Sequence, residues 1–453
     1  MDPVAREHVA SPLPRTQSAP HQSNGSTTHA PPSLPISRQE PVSSFERWVL
    51  RRVLAALGDP PVTFALWNGE EVRPLHGEPI ARLRLTDRGA LRRMMFDPWF
   101  QAGEAYADGQ LEFDGPLDEF FATVWGALGR RAGRKLPGGL LARLLHRPRR
   151  TGLGQAKENI HHHYDIGNDF YRLWLDEEMV YTCAYFAEDT FSLEQAQMAK
   201  LDHVCRKVWL RPGDRVIEAG CGWGALSLHM ARKYGATVRA FNISREQVEF
   251  ARDRARREGL ADRVEFVLDD WRNIAGECDA LVSVGMLEHV GRENYRELGD
   301  VLDRVLAPAG RGLIHSITRS RPKPLDPWIE RRIFPGAYPP ALSELVDIFE
   351  PHRFAILDME NLRLHYAETL RHWLERFEQS ADAVRAMFDE RFVRTWRLYL
   401  AGSIAAFVSG ELQLHQMTFA RDGEDALPRT RAGLYGDGDA FWVNHERHEK
   451  HEK

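Results

Sequence analysis

Val216-Ile217-Glu218-Ala219-Gly220-Cys221-Gly222-Trp223-Gly224 is the stretch whose reading decides the fold. An apolar run ends in an acid, three alternating glycines follow, and Ala225 to Tyr234 has the residue types of a helix. Glycine has no Cβ and reaches positive φ freely, so a turn built from it can press its backbone against a ligand. In a doubly wound α/β fold such a turn lies at the carboxyl end of the first strand, where a nucleotide-like ligand sits. The spacing here is E-x-G-x-G-x-G, not the G-x-G-x-x-G of dinucleotide-binding turns.

Outward from that loop the chain alternates helix and strand, as a βαβ series does. Strands are expected at Arg215 to Glu218, Thr237 to Asn242, Val264 to Leu268, Ala280 to Val284 and Gly312 to Ile317. Amphipathic helices fall between them, such as Arg245 to Glu258 and Asn294 to Leu306, and helical stretches near 342–350, 367–387 and 389–420 extend past the sheet. Upstream, the helical spacing from Phe45, strands at Val62 to Trp67 and Ile80 to Leu85, and helices at Leu91 to Phe100 and Leu117 to Ala127 make a small α+β domain over 44–128. The catalytic domain is expected over 158–422. Residues 1–43, rich in Pro, Ser, Thr, Gln and His, cannot bury enough apolar surface to offset their ordering entropy and read as disordered. Residues 423–453 read as a polar tail. Its His445, His448 and His451 have nothing around them to fix metal geometry, so no metal is expected.

The 453 residues carry a formal net charge of −5, so nothing global argues for nucleic acid. Four cysteines (Cys183, Cys205, Cys221, Cys278) show no C-x-x-C pairing, which fits a reducing cytoplasm. The start of the chain shows no basic-then-apolar signal segment. No run approaches the roughly 20 apolar residues of a membrane span, and the longest candidate, Leu398 to Val408, is broken by Gly402 and Ser403. The segment 129–157 stands apart. From Phe120 to Lys157 there is no acid, yet Arg130, Arg131, Arg134, Lys135, Arg143, Arg147, Arg149 and Arg150 are present, with Leu140, Leu141, Leu144 and Leu145 at helical spacing. It reads either as a solvated basic linker or as a surface that adsorbs on anionic headgroups, at about 1 kcal/mol per basic residue.

The glycine spacing favours S-adenosylmethionine, whose pocket needs groups for the ribose after the second strand and for adenine after the third. Asn242, Ser244 and Gln247 follow the second strand, where an amide can share hydrogen bonds with a diol. Asp269, Asp270 and Trp271 follow the third, offering a carboxylate for the exocyclic amine and an indole face for the purine. Taken singly, each acid reads equally as a helix cap and Trp271 as a core aromatic. Recurrence at three successive strand ends favours the ligand reading.

Further groups lie outside the cofactor loop: His163-Tyr-Asp-Ile-Gly-Asn-Asp169, Tyr181-Thr-Cys-Ala-Tyr-Phe186, Gly285-Met-Leu-Glu-His-Val-Gly291, His315-Ser-Ile317, Asp326-Pro-Trp-Ile329, Tyr366 and Trp373-x-x-Arg376-Phe377. With Gly220-Cys-Gly-Trp-Gly224 they make the chain, from about 85 to 420, resemble the cyclopropane-fatty-acyl-phospholipid synthases, relatives of the mycolic acid cyclopropane synthases. The resemblance implies a class I S-adenosylmethionine-dependent methyltransferase: a Rossmann-like doubly wound α/β sheet with a small N-terminal α+β domain and extra C-terminal helices. It also implies the chemistry. Alkene electrons of an unsaturated acyl chain attack the sulfonium methyl, and proton loss from that methyl closes a three-membered ring. Such a site needs a dry pocket, aromatic faces to steady a cation, and a base beside the methyl.

In the family that base is a bound bicarbonate. Its holders carry over as Cys183, Glu288, His315, the backbone of Ile317, and Tyr366. Tyr181 and Thr182 fall at the cofactor's methionine end, with Glu218, Gly220, Cys221, Gly222, Trp223 and Gly224 forming the loop. Tyr185, Phe186 and Trp223 are candidates for the aromatic lining, and His289 reads as structural. The implied partners are unsaturated phospholipids at a membrane surface, met by a cytoplasmic enzyme associating with the inner membrane face. A homodimer is compatible with this reading. Two positions depart from the family pattern. Glu218 stands where Asp is common, and Ser403 stands where several members carry Cys. The alternatives are a methyl- or methylene-branched product on the same lipids, or a small amine or hydroxyl acceptor.

Overall fold

The computed structural model of the protein describes residues 41–56, 59, 61–74, 78–130, 166–423 and 430–435. The expected disorder up to residue 40, the basic run from Arg131 to Arg150 with its leucines, His163 to Asp165, and the terminal histidines lie outside the described residues.

Strands β1 (Val62–Ala65), β2 (Glu71–Val72), β3 (Ala81–Leu85) and β4 (Leu111–Asp114) form one sheet in the order β2-β1-β3-β4. The stretch expected as one helix from Leu91 to Phe100 is two, Arg88–Phe96 and Pro98–Ala107. Pro98 has no N–H to continue the first helix and suits the opening turn of the second. Asp97 stands between them and accepts from the Phe100 N–H at 3.4 Å. The second helix meets the short helix Pro327–Arg332 closely: a Cβ on Gly103 would lie 2.5 Å from the Trp328 ring. The Trp328 indole donates to Glu104 Oε1 at 3.0 Å.

The remaining strands, β5 (Arg215–Ala219), β6 (Thr237–Asn242), β7 (Val264–Leu268), β8 (Cys278–Val284), β9 (Leu306–Thr318), β10 (Phe354–Asn361) and β11 (Gln413–Arg421), make a second sheet ordered β10-β11-β9-β8-β5-β6-β7. β5 through β9 pair in parallel, and β11 is antiparallel to both β9 and β10. Val216 to Ala219 and Ala280 to Val284 are buried throughout, as strands covered by helices on both faces require. Strand order reverses between β5 and β8, and open α/β sheets place their ligand site at such a switch point.

Beyond β9 the expectation needs correcting. The stretch 389–420 is not one helix. A helix runs Glu390–Ser409, Gly410 takes a left-handed conformation at φ 79°, and Gln413–Arg421 enters the sheet as β11. β10 was not foreseen, and the stretch near 342–350 holds only short turns, Leu342–Glu344 and Val346–Phe349. The stretch 367–387 divides at Ser380 into Arg363–Gln379 and Ala381–Met387. The apolar run Leu398 to Val408 is explained by packing, because Leu398 through Ala401 and Ile404 through Phe407 are buried in the core. Among the described residues no helix is long and apolar enough to cross a membrane.

Candidate functional site

The glycine loop leaves β5 and opens a cleft at the switch point. Gly220 has φ 85°, and a Cβ there would lie 2.9 Å from Met286 Cβ. Gly222, at φ 53°, would project its Cβ into open space. Cys221 and Trp223 also line the cleft; the Trp223 indole donates to Asn168 Oδ1 at 2.6 Å. Burial pushes the Cys221 thiol pKa well up, so it is not a thiolate.

Asn242, at the end of β6, donates to the Gly222 carbonyl at 3.2 Å and to Gln247 Oε1 at 2.8 Å, which ties the loop to the next helix. Asn242, Gln247, Asp269, Asp270 and Trp271 all line the cleft. Asp270 also caps the turn that follows, accepting from the Arg272 N–H at 3.0 Å, so the capping and lining readings both hold. The Arg272 guanidinium lies 4.4 Å from the Trp271 ring centroid. Two expected cofactor residues stand behind the cleft instead of in it. Ser244 caps the helix Arg245–Arg257, its hydroxyl accepting from the Gln247 N–H at 3.4 Å. Gly224 is the N-cap of Ala225–Tyr234, where a Cβ would come within 2.6 Å of Phe266.

At the other end of the cleft are Tyr181, Thr182 and Glu218. Tyr181 Oη lies 2.9 Å from Tyr399 Oη. Glu218 is buried, accepts from the Ser227 hydroxyl, and is pushed up to about 7 by burial. Sequence reasoning missed Lys200. This side chain, on the helix Leu193–Lys207, is buried beside the cleft and donates to Thr182 Oγ1 at 3.1 Å. Burial lowers its pKa to about 8. Its signal was a lysine on the stripe of Leu193, Ala196, Gln197, Leu201 and Val204, all buried. His289, read as structural, also lines the cleft, and burial lowers it to about 4.

None of the five residues expected to hold an anion lines the cleft; Glu288 meets Ile317 on β9, while Cys183 and Tyr366 each approach Leu362. Glu288, in the turn after β8, accepts at Oε1 from the backbone N–H of Ile317 at 2.6 Å. His315 lies two residues earlier on β9, so it shares a sheet face with Ile317. Ile317 pairs with Leu414 on β11, the Leu414 carbonyl accepts from the Leu362 N–H at 2.8 Å, and Cys183 Sγ lies 3.9 Å from the Leu362 carbonyl. Tyr366 follows one helical turn after Leu362, its ring 4.6 Å from that of Phe407. Tyr185 and Phe186 instead stack on His203 and His372, at 4.3 and 5.5 Å.

Burial pushes Glu288 up to about 7, even though the Ile317 N–H favours its charged form. His315 is driven well below the usual histidine range by burial and then by Lys200. Its Nδ1 lies 3.1 Å from Gln416 Nε2; with that amide nitrogen donating, the neutral ring carries its proton on Nε2. The buried Cys183 thiol is pushed up and donates to the Ala184 carbonyl at 3.1 Å. Glu288 Oε2 is buried and meets no hydrogen-bond partner among the described residues. A buried oxygen of this kind is costly unless something completes it.

The residues fit both groups that the sequence implies. Gly222 leaves the cleft floor open, Asp269, Asp270 and Trp271 line it after β7, and Glu218 and the lone Lys200, bonded to Thr182, line it as well, which suits S-adenosylmethionine. Glu288 Oε2, when protonated, is a donor suited to a small anion.

A seven-stranded sheet with one antiparallel member and this cleft at its switch point define a class I S-adenosylmethionine-dependent methyltransferase. The chain belongs to the mycolic acid cyclopropane synthetase family, whose model matches residues 152–417. A probable fatty acid methyltransferase of Pseudomonas putida is 36% identical over 389 residues, covering 83% of this chain and 96% of that one. The cyclopropane-fatty-acyl-phospholipid synthase of Escherichia coli K12 is 37% identical over 366 residues, 78% of this chain and 91% of its own length. The crystal structure of a mycolic acid cyclopropane synthase complexed with SAH and CTAB aligns at a TM-score of 0.56 and 29% identity, covering 58% of this chain and 97% of that one.

Proposed function

We propose that this enzyme transfers a methylene unit from S-adenosylmethionine to the cis double bond of an unsaturated phospholipid acyl chain, forming a cyclopropane ring. In this reading a bicarbonate held by Cys183, Glu288, His315, the Ile317 backbone and Tyr366 serves as the base. The observation that carries it is Glu288: a buried carboxyl anchored through Oε1 on Ile317, with Oε2 buried and without a hydrogen-bond partner among the described residues, and a pKa of about 7.

Bound S-adenosylmethionine supplies an electrophilic methyl on a sulfonium. The chain's own residues do the rest. Glu288 can take up or release a proton at Oε2 near neutrality. With the Gln416 amide nitrogen donating to Nδ1, neutral His315 presents an N–H at Nε2. Cys183 is held as a thiol, so it does not act as a nucleophile. Tyr366, packed on Trp373 and Phe407, offers a ring face to developing positive charge. An amine or hydroxyl acceptor would need no separate base to close a ring.

The cytoplasmic enzyme would reach its lipid by peripheral association, for which the acid-free run Phe120 to Lys157 supplies the charge. Neutralising Arg130 to Arg150 should weaken activity on anionic vesicles more than on detergent-dispersed lipid. Equal loss on both would mark the run as a linker.

Mass spectrometry of fatty acids from cells expressing the chain, with chemical tagging of double bonds, tests the reaction. The expected product gains one CH₂ and loses its double bond. The same gain with an alkene retained would replace the proposal with a methylene-branched product. No lipid change, with cofactor binding intact, would point to a small-molecule acceptor.

A further inference from the structure

We propose that Lys200 is the counter-ion of the cofactor's methionine carboxylate, and that with Glu218 it forms a charge pair complementary to the zwitterionic end of S-adenosylmethionine. Among the described residues lining the cleft, Lys200 is the one lysine or arginine, against three acids, Glu218, Asp269 and Asp270. It is 2% exposed, so water does not solvate its ammonium. Its hydrogen bond is to a neutral hydroxyl, Thr182 Oγ1. No carboxylate lies within 4.0 Å of it in an ion pair among the described residues. A buried cation without a counter-ion is costly, and a ligand anion removes that cost.

The acidic groups facing Lys200 are the carboxyls of Asp176 and Glu218 and the thiols of Cys183 and Cys205. Asp176 is spent on the N–H groups of Val180 and Glu178, both at 3.0 Å. Both cysteines are thiols whose burial raises their pKa. Glu218 accepts from Ser227 and sits across the same cleft without touching Lys200 in an ion pair. Asp270 is paired with Arg272, so Glu218 is the cleft acid left near Lys200 for the cofactor's α-ammonium, while its α-carboxylate has one cation. This fixes the direction of binding: methionine lies toward Thr182 and Lys200, adenosine toward Asp270 and Trp271. It also explains why Lys200 interrupts the apolar face of its helix.

Calorimetry on the full chain with three ligands tests the assignment. S-adenosylhomocysteine carries both the carboxylate and the ammonium, its decarboxylated analogue keeps only the amine, and methylthioadenosine carries neither. Wild type should bind S-adenosylhomocysteine at least about tenfold tighter than the decarboxylated analogue, since charged hydrogen bonds contribute at about that level. Lys200→Met should lose roughly ten- to hundredfold in affinity for S-adenosylhomocysteine and leave both other ligands within about twofold. Methylthioadenosine binding then also shows that the variant is folded. Equal losses across the three ligands would reduce Lys200 to a structural role. An unchanged S-adenosylhomocysteine affinity in Lys200→Met would overturn the assignment and point to a different anion. Should the variant not fold, the wild-type preference still decides, because equal affinity for S-adenosylhomocysteine and its decarboxylated analogue excludes a carboxylate partner.

Discussion

Glu288 Oε1 and the backbone N–H of Ile317 are 2.6 Å apart, a bond that ties the turn after β8 to the end of β9. It orients a carboxyl whose second oxygen has no partner among the described residues. Replacing Glu288 with Gln preserves the acceptor for Ile317 and removes the titrating group. Turnover should fall by roughly 10²- to 10⁴-fold while S-adenosylhomocysteine affinity stays within about threefold. Turnover measured with labelled cofactor beside calorimetry reads both, and a fully active variant would falsify the bicarbonate assignment.

The same substitution has a pH signature in stability. Burial raises Glu288 from 4.5 to about 7 in the folded chain. Between those values the folded chain keeps a proton that the unfolded chain has released. The group's contribution is therefore full below about pH 4.5 and is lost as pH rises to about 7. Glu288→Gln lacks this loss, so its stability relative to wild type should improve across the window, by about 3 kcal/mol at most. Denaturant midpoints at pH 5 and 7.5 measure this, and a constant difference would mean that Glu288 titrates normally.

Gly220 and Gly222 should separate folding from binding. Alanine at 220 meets Met286 at 2.9 Å and a φ of 85°, so it should cost about 1–3 kcal/mol of stability as well as cofactor affinity. Alanine at 222 meets nothing, so beyond the roughly 1–2 kcal/mol of left-handed backbone its effect should fall on S-adenosylhomocysteine binding. Thermal unfolding with and without the ligand distinguishes them. Identical profiles for the two variants would refute the distinction.

Gln416 should matter through His315. It faces His315 on one side and Glu360 on the other in the register of β9, β11 and β10, and its amide holds His315 Nδ1 at 3.1 Å. Gln416→Leu frees the ring to take the other tautomer. The expected outcome is a roughly 10- to 100-fold fall in kcat with unchanged cofactor affinity. Unaltered kcat would show that the tautomer is not set here.

The glycine loop and the five parallel strands were legible because their signals are local: a buried parallel strand is a short apolar run, and a tight turn against a ligand needs glycine. The motifs that carried the family were legible for the same reason. β10 and β11 were not. Glu360, His415 and Gln416 are polar residues that a linear reading does not place in a strand, His415 and Gln416 being read as helical, and neighbours on distant elements complete them there: Glu360 meets His203, His415 meets Thr318, Gln416 meets His315. Ser244 reads equally as a ribose ligand or a cap until the helix it caps is in place.

By itself, then, the sequence determined the class of fold, the family, and which residue types stand at each strand end. Tertiary structure alone decided which of them face the cleft, that Glu288 spends one oxygen on Ile317, and that Lys200 lies buried beside the cofactor site. The physical reason is that burial and hydrogen-bond completion depend on groups far apart in the chain, and these set the charge and the orientation of every side chain in the site.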